Sequence, residues 1–206
     1  YESASYGLEK WSAPYYWHMY KYAMCVPAIP YVSFNVANII KSIFGKNKKV
    51  LDLDMDNTLW GGIIGDDGAE NIEIGQETSL GQTYAEFQNY IKQQKQLGVI
   101  LAINSKNEES VALTGLERPD SVLKKEDFIS IKANWNPKIM NLQETARELN
   151  LLPESFVFVD DNPAEREIII QNSPGTAVPV MDGVENYIQT LDRSGFFEVT
   201  NFSADD

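Results

Sequence analysis

Three aspartates at alternate positions, Asp52, Asp54 and Asp56, form the densest group of chemically active side chains in the sequence. Carboxylates this close together could bind a divalent cation, or could supply a nucleophile and a proton donor. A calcium-binding EF-hand loop starts with the same alternation, but it needs glycine at its sixth position and an acidic residue at its twelfth. Asn57 and Ile63 occupy those positions, so the EF-hand interpretation fails.

The other interpretation places a nucleophilic carboxylate at the end of a strand, a proton-transferring carboxylate two residues later and a hydroxyl two residues after that. Asp54, Asp56 and Thr58 have this D-x-D-x-T spacing. With Asp52 as the nucleophile, Asp56 would stand where the threonine belongs, which decides the register. A solvated loop of aspartates that binds nothing is the plainer alternative, and the apolar run before the motif counts against it.

The elements that must position these residues follow from the hydrophobic pattern after Lys49. Short apolar runs alternate with amphipathic stretches, which predicts an α/β fold with a parallel sheet covered by helices on both faces. The predicted strands are residues 50–54, 99–104, 128–131, 156–159 and 177–180, and the predicted helices are residues 83–97, 107–113, 137–149, 164–171 and 184–191. Ligands of such open sheets bind at the carboxyl ends of the strands.

Polar side chains stand at several of those ends. Ser105 follows the second apolar run, Lys138 opens the helix after the third, and Asp160 and Asp161 follow the fourth. Each has a plainer interpretation as a helix cap, a surface lysine or a turn. Together with Asp54, in this order along the chain, they predict one catalytic site.

These four segments resemble the motifs of the haloacid dehalogenase (HAD) superfamily. The resemblance implies a Rossmann-like, three-layer α/β fold and phosphoryl transfer. Asp54 would attack phosphorus to form an aspartyl phosphate, and Asp56 would act as general acid and base. Ser105 would bind the phosphoryl group, and Lys138 would offset the negative charge.

The resemblance also implies Mg²⁺ as the cofactor, because hard oxygen ligands and a phosphate suit that ion. Its expected ligands are the Asp54 carboxylate, the backbone carbonyl of Asp56 and Asp160, with Asp161 as a nearby or water-mediated partner. The residues expected to bind substrate or phosphate are Asn57, Thr58, Gly61, Lys106, Asn107 and Asn162.

The flanking residues look like the FkbH-like branch of the superfamily, over residues 46–206 with residues 203–206 as the distal edge. The matching segments are Leu59-Trp60-Gly61-Gly62, Gly65-Asp66-Asp67-Gly68, Ser105-Lys106-Asn107, Asn134-Trp135-Asn136-Pro137-Lys138 and the run from Phe158 to Arg166. FkbH-like domains typically belong to multidomain proteins. Some members of this branch take the phosphoglyceryl group of 1,3-bisphosphoglycerate, remove phosphate and load glyceryl onto an acyl carrier protein.

Two residues depart from that pattern. Asp52 occupies a strand position that is usually apolar, and Asn104 stands where glyceryl-loading relatives often carry cysteine. We therefore expect an Mg²⁺-dependent phosphohydrolase or phosphotransferase, with glyceryl transfer to a carrier protein as the alternative. A non-catalytic binding module with a HAD fold is the second alternative. A P-loop enzyme is excluded because the sequence has no G-x-x-x-x-G-K-[ST] segment.

The cover of the site is expected to be small. Residues 61–75 are enough for a short hairpin but not for an independent cap domain, which needs about 50 residues. An open site favours a large substrate or one tethered to a carrier protein. The expected substrate is therefore a phosphorylated small molecule or a group tethered to a carrier protein.

Residues 1–45 are expected to form an aromatic-rich arm that ends in a helix over residues 32–44 and is the tail of an upstream module. Surface exposed by the missing neighbour explains the aromatic cluster more simply than a ligand does. His18 is the only histidine and has no partner residues that would indicate catalysis. Flanking domains of the same polypeptide are therefore expected partners.

Composition limits the remaining function classes. Residues 1–49 carry 6 Lys and Arg against 2 Asp and Glu (+4), and residues 50–206 carry 11 against 28 (−17). An acidic body argues against nucleic-acid binding, which requires a basic surface. The sequence shows no membrane span or signal peptide, and its single cysteine, Cys25, forms no internal disulfide. A cytoplasmic location is expected.

Overall fold

The computed structural model describes residues 2–199 of the 206-residue chain. The predicted distal edge of the HAD-like region, residues 203–206, lies outside the described residues. The described chain divides into two compact units, one built from residues 2–47 and 198–199 and the other from residues 48–197.

The first unit is helical. Its longest helix begins three residues before the predicted one, because Pro30 stands in the first turn, where a missing N–H group is no loss. Tyr15, Trp17 and Tyr20 are exposed. The elements are α1 (Glu2–Tyr6), α2 (Leu8–Trp11), α3 (Pro14–Tyr20), a 3₁₀ turn (Val26–Ala28) and α4 (Ile29–Ile43).

The second unit alternates strands and helices, as the hydrophobic pattern predicted. In chain order its elements are β1 (Val50–Leu53), α5 (Ile64–Asp67), α6 (Ser79–Gln96), β2 (Ile100–Ser105), α7 (Glu109–Glu117), β3 (Ser130–Ala133), α8 (Lys138–Glu148), β4 (Phe156–Val159), α9 (Pro163–Asn172) and α10 (Tyr187–Arg193). Three 3₁₀ turns lie at Lys125–Asp127, Pro153–Ser155 and Val184–Asn186.

Within residues 2–199 the sheet has four parallel strands in the order β3-β2-β1-β4. β1 lies in the middle, and its last residue, Leu53, is in register with Ile103 of β2 and Val159 of β4. The carboxyl ends of the strands therefore meet at one edge of the sheet.

Helices cover both faces of the sheet. Successive residues of a strand point to opposite sides, so each strand contributes side chains to both cores. Leu51 and Leu53 pack in a core with Phe87 of α6, whereas Val50 packs with Leu142 of α8 and belongs to a second core. The expected three-layer α/β fold is confirmed. No helix in residues 2–199 has the length and apolar character to cross a membrane.

The predicted strand at residues 177–180 is wrong. Only Ala177 pairs with β4: it donates to the Phe156 carbonyl at 3.0 Å and accepts from the Phe158 N–H at 2.8 Å. The next residue that would donate to a parallel neighbour is Pro179, which has no N–H group. The ladder therefore stops after one residue.

Candidate active site

Asp54 and Asp160 each follow one of two adjacent strands, as the sequence predicted. The Asp54 N–H extends the ladder by one bond, donating to the Val159 carbonyl at 2.9 Å. Asp160 comes directly after β4, and its side chain is fully buried. Parallel pairing of β1 and β4 places both carboxylates at the same edge.

A group of three carboxylates converges at this edge. Asp54, Asp160 and Asp161 each offer an oxygen, and the three oxygens lie within 4.8 Å of one another. Two opposite ligands of a single Mg²⁺ are about 4.2 Å apart, because each Mg–O distance is about 2.1 Å. The separation is thus close to what one shared ion requires.

Lys138, the first residue of α8, lies between two of these carboxylates. Its Nζ is 2.8 Å from Asp54 Oδ1 and 2.6 Å from Asp160 Oδ2. Only 3% of the residue is exposed. The ammonium therefore compensates part of the negative charge gathered at the strand ends, where solvent screening is weak.

The pKa values of these groups show the competition between burial and charge. Burial raises the pKa of Asp54 to about 6, although the neighbouring Lys138 ammonium opposes the shift. Burial also raises the pKa of both Asp160 and Asp161 above the usual range. For Lys138, burial alone would lower the pKa, but Asp54 and Asp160 outweigh it and raise the pKa.

The Asp56 side chain is hydrogen-bonded to the loop that follows the motif and to the segment after β2. Its Oδ1 accepts hydrogen bonds from Trp60 Nε1 and from the Ile64 N–H, both at 3.0 Å. Its Oδ2 accepts from Asn107 Nδ2 at 2.8 Å, and the same amide lies 3.2 Å from Ser105 Oγ. Asn107 therefore joins the segments after β1 and β2.

The residues beside the motif shape its backbone. Asn57 has a left-handed φ of 54°, and its side chain accepts from the Gly62 N–H at 3.0 Å. At Gly61 an added Cβ would lie 2.9 Å from a ring carbon of Tyr84, so only glycine fits this close approach. Thr58 is fully buried, and its hydroxyl has no hydrogen-bond partner within the described chain.

Two other predicted binding residues lie at the rim of this edge and are engaged by the protein itself. Lys106 Nζ contacts Glu165 Oε1 at 2.5 Å. Asn162 caps α9 by accepting from the Ala164 N–H at 2.9 Å, while its own N–H donates to Asp160 Oδ1. The binding roles of both residues stay predictions.

Sequence analysis missed two residues that hold this edge together. Arg166 donates to the carbonyls of Asp160 and Asp161, both at 2.7 Å, and so fixes the loop after β4. Asn141 on α8 is buried and donates to Asn104 Oδ1 at 3.2 Å. Both face the site from helices, and the hydrophobic pattern alone does not indicate which polar residue of a helix does so.

Residues 61–75, the expected cover of the site, form a short loop after the aspartate motif. Gly61 and Glu73 pair antiparallel through two backbone hydrogen bonds of 3.0 and 2.8 Å. The single turn of α5 lies between them. The segment is thus a closed loop with one bridge, close to the small hairpin predicted for it.

The buried Asp52 leads to a prediction about pH. Burial, opposed by the hydrogen bond from Asn104, raises the pKa of Asp52 to about 7, against about 4 in an unfolded chain. Between these values the folded protein binds more protons than the unfolded chain. Its free energy of unfolding should therefore fall, by about 4 kcal/mol at most, as the pH rises from about 4 to 7.

Urea unfolding with chelator present, at pH 5 and pH 8, measures this difference. Asp52→Asn should remove a large part of the pH dependence, and Asp54 should account for much of the remainder, because its pKa is shifted in the same direction. An unchanged dependence in Asp52→Asn would show that Asp52 is already ionised in the folded protein.

Comparisons with known proteins agree with the fold. No family model matches the chain, and no curated protein matches it. A solved structure of the N-terminal part of a Bacteroides fragilis protein, described as containing a phosphatase domain and complexed with Mg, is 39% identical with a TM-score of 0.90. The match covers 97% of this chain and 54% of the other, so this chain spans about half of that solved fragment.

Two more distant solved structures also match parts of this chain. An uncharacterised protein from Corynebacterium glutamicum is 14% identical over 74% of this chain and 98% of its own, with a TM-score of 0.50. A HAD-superfamily hydrolase from Geobacter sulfurreducens is 12% identical over 69% of this chain and 98% of its own, with a TM-score of 0.41. This chain therefore shares its parallel α/β fold with the solved Bacteroides fragilis structure.

Proposed function

We propose that this chain is a Mg²⁺-dependent phosphatase or phosphotransferase that works through an aspartyl phosphate on Asp54. The observation that carries the proposal is the convergence of Asp54, Asp160 and Asp161, with the Lys138 ammonium in contact with two of them. Similarity over nearly the whole chain to a solved fragment that contains a phosphatase domain supports it.

The donor set fits Mg²⁺. It consists of carboxylate oxygens, which are hard ligands, and its members are close enough to share one ion after a small inward shift. Asp54 and Asp160 would hold the ion, with Asp161 and the Asp56 carbonyl beside them. Bound there, the ion would neutralise charge on the phosphoryl oxygens.

The protein's own groups would carry the bond changes. A carboxylate oxygen of Asp54 forms a bond to phosphorus while the bond to the leaving oxygen breaks. Asp56 gives a proton to that leaving oxygen. It later takes one from the attacking water or acceptor, whose oxygen bonds to phosphorus as the bond from Asp54 to phosphorus breaks. Asp56 Oδ2 accepts a single hydrogen bond, from Asn107, and so keeps a lone pair for this proton.

Ser105 and Lys138 would bind the transferred group. Ser105 is buried at the end of β2, and its hydroxyl would donate to a phosphoryl oxygen. The Lys138 ammonium would stabilise negative charge first on the carboxylates and then on the phosphoryl oxygens. Because the ammonium is held on both sides, it needs little reorganisation during the reaction.

The substrate would be a phosphorylated small molecule or a group tethered to a carrier protein. The short 61–75 loop, closed by one bridge, supports an open site that accepts a large substrate. The flanking segments that resemble FkbH-like domains support a multidomain protein, with residues 1–45 as the end of an upstream module. The domain division that we propose is therefore an arm over residues 1–45 and a catalytic domain over residues 46–206.

Glyceryl transfer is less well supported. The residue at the position where glyceryl-loading relatives often carry cysteine is Asn104, which is buried with its amide engaged in hydrogen bonds. An acceptor thiol would have to come from the carrier. A non-catalytic role is disfavoured because Asp54, Ser105 and Lys138 are all present at the strand ends.

The Mg²⁺ requirement is directly testable. Ion at 100 times its dissociation constant should stabilise the folded chain by about 2.7 kcal/mol, because the unfolded chain has no assembled site. For a chain of this length the melting temperature should rise by about 5 to 10 °C. Hydrolysis of phosphorylated metabolites should stop with chelator and return with Mg²⁺.

The matched variants are Asp161→Asn and Asp182→Asn. Asp161 is one of the three converging carboxylates, whereas Asp182 is exposed and belongs to a different segment. The Mg²⁺-dependent rise should shrink in Asp161→Asn and persist in Asp182→Asn. A melting temperature that does not respond to millimolar Mg²⁺ in the wild type would contradict the metal site.

A further inference from the structure

The two residues that depart from the FkbH-like pattern are hydrogen-bonded to each other beneath the site. Asn104 Nδ2 on β2 donates to Asp52 Oδ2 on β1 at 3.0 Å. The same nitrogen donates to the backbone carbonyl of Lys138 at 2.9 Å. Both N–H bonds of the carboxamide are therefore used, one toward β1 and one toward α8.

The other end of the carboxamide is also engaged. Asn104 Oδ1 accepts from Asn141 Nδ2 at 3.2 Å, and Asn141 lies one turn along α8 from Lys138. Two successive positions on one face of α8 are thus bonded to the same side chain. Asn104 joins the middle strand, its neighbour and the first turn of the helix.

Burial makes these bonds specific. Asp52, Asn104 and Asn141 are each at most 1% exposed, so water does not replace a lost partner, and buried polar groups left unpaired are costly. Within residues 2–199, α8 begins without a side-chain cap. The bond from Asn104 to the Lys138 carbonyl is a contact that this turn receives from outside the helix.

The catalytic consequence follows from where Lys138 stands. Its carbonyl is bonded to Asn104, while its ammonium lies between Asp54 and Asp160 at 2.8 and 2.6 Å. A shift of the first turn of α8 would move the ammonium away from one or both carboxylates.

We propose that Asn104 is a positioning residue, whose carboxamide ties the first turn of α8 to β1 and so holds the Lys138 ammonium between Asp54 and Asp160. The kinetic part of this inference rests on the proposed phosphatase function. The placement of Lys138 does not depend on it.

The sharpest test exchanges the two side chains, Asp52→Asn together with Asn104→Asp. The net charge, the shapes and the bond between the two positions are kept with donor and acceptor reversed, and Asn141 keeps an acceptor. The bond to the Lys138 carbonyl is lost, because a carboxylate does not donate, and a carboxylate oxygen then faces that carbonyl in place of the amide nitrogen. A second variant, Asp52→Val with Asn104→Leu, removes the whole polar pair and leaves no buried charge unpaired.

In both double variants kcat should fall by about 10- to 100-fold, since a displacement of about 1 Å costs up to about 10²-fold. KM should change much less than kcat, because Lys138 acts mainly on the charge that develops during transfer and the other groups expected to bind substrate keep their places. Crystal structures should show the Lys138 ammonium out of hydrogen-bonding distance of Asp54 or Asp160. The control is Asn89→Leu, which removes an amide bonded to the Ala85 carbonyl on α6 and should leave kcat unchanged.

A folded double variant with wild-type kcat, or with the Lys138 ammonium still at both carboxylates, would overturn the inference. If the variant with Asp52→Asn and Asn104→Asp does not fold, the variant with Asp52→Val and Asn104→Leu decides whether the inference holds. If the wild-type protein shows no Mg²⁺-dependent phosphatase activity, the proposed function fails, and the crystal structures alone decide the role of Asn104.

Discussion

Asp54→Asn should lower kcat for phosphate-ester hydrolysis by about 10⁴-fold or more, as expected when the nucleophile of a cooperating group is removed. The amide keeps the shape of the side chain but is a poor nucleophile. The fold should be retained, since the amide still accepts a hydrogen bond from Lys138. Single-turnover assays with a phosphorylated substrate should show no phosphoenzyme.

Asp182→Asn serves as the matched control, because it makes the same chemical change at an exposed position and should leave kcat unchanged. Mass spectrometry should find phosphate on Asp54 in trapped wild-type protein and none in Asp54→Asn. Turnover of Asp54→Asn at a near wild-type rate would rule out the aspartyl phosphate mechanism.

Lys138→Met should have the second large effect. Removing the ammonium leaves Asp54 and Asp160 facing each other, and the loss of one partner from a buried ion pair costs about 3 to 5 kcal/mol. The free energy of unfolding should fall by that amount in metal-free protein at pH 8. The loss should be smaller at pH 5, where a carboxylate takes up a proton more readily. Urea unfolding measures both values.

Lys132→Met is the control for that substitution. Lys132 also pairs with two carboxylates, Glu144 and Glu148, but both are about half exposed. Ion pairs with solvent-exposed partners contribute about 0 to 1 kcal/mol, so this variant should remain within about 1 kcal/mol of the wild type. Equal losses in the two variants would mean that burial of Lys138 adds nothing to its pairing.

The layer order could be predicted because β1, β2 and β4 are almost fully buried and read as mostly apolar runs. Residues 156–159 are the clearest example, and the observed β4 has those bounds. The predicted β3 lies two residues early because Phe128 closes a 3₁₀ turn and pairing starts at Ser130. Tertiary pairing, rather than local hydrophobicity, sets that boundary.

Helix starts were less predictable, because they depend on which side chain caps the first turn. The predicted start at residue 83 misses a full turn of α6. Thr78 Oγ1 accepts from the Gly81 N–H at 2.9 Å and lets the helix begin at Ser79. The predicted start at residue 107 is early because the Asn107 side chain is committed to Asp56 and Ser105.

The gathering of Asp54, Asp160 and Lys138 could be predicted because each follows a strand of one parallel sheet, and such strands end at a common edge. The bond between Asp52 and Asn104 could not, although both residues stood out in the sequence. Their contact depends on the pairing of β1 with β2, and the bonds of Asn104 to α8 depend on the rotation of that helix. Neither is encoded by local spacing.

Ala177 also affects how this domain meets other molecules. An open strand edge offers unpaired N–H and C=O groups to which a strand of a second molecule can add. At the outer edge of β4 the Phe156 carbonyl and the Phe158 N–H are already bonded to Ala177, and Pro179 prevents a longer pairing. One residue therefore protects this edge from aggregation. Among the strands of residues 2–199, β3 is the other edge strand, and intermolecular strand addition would begin there.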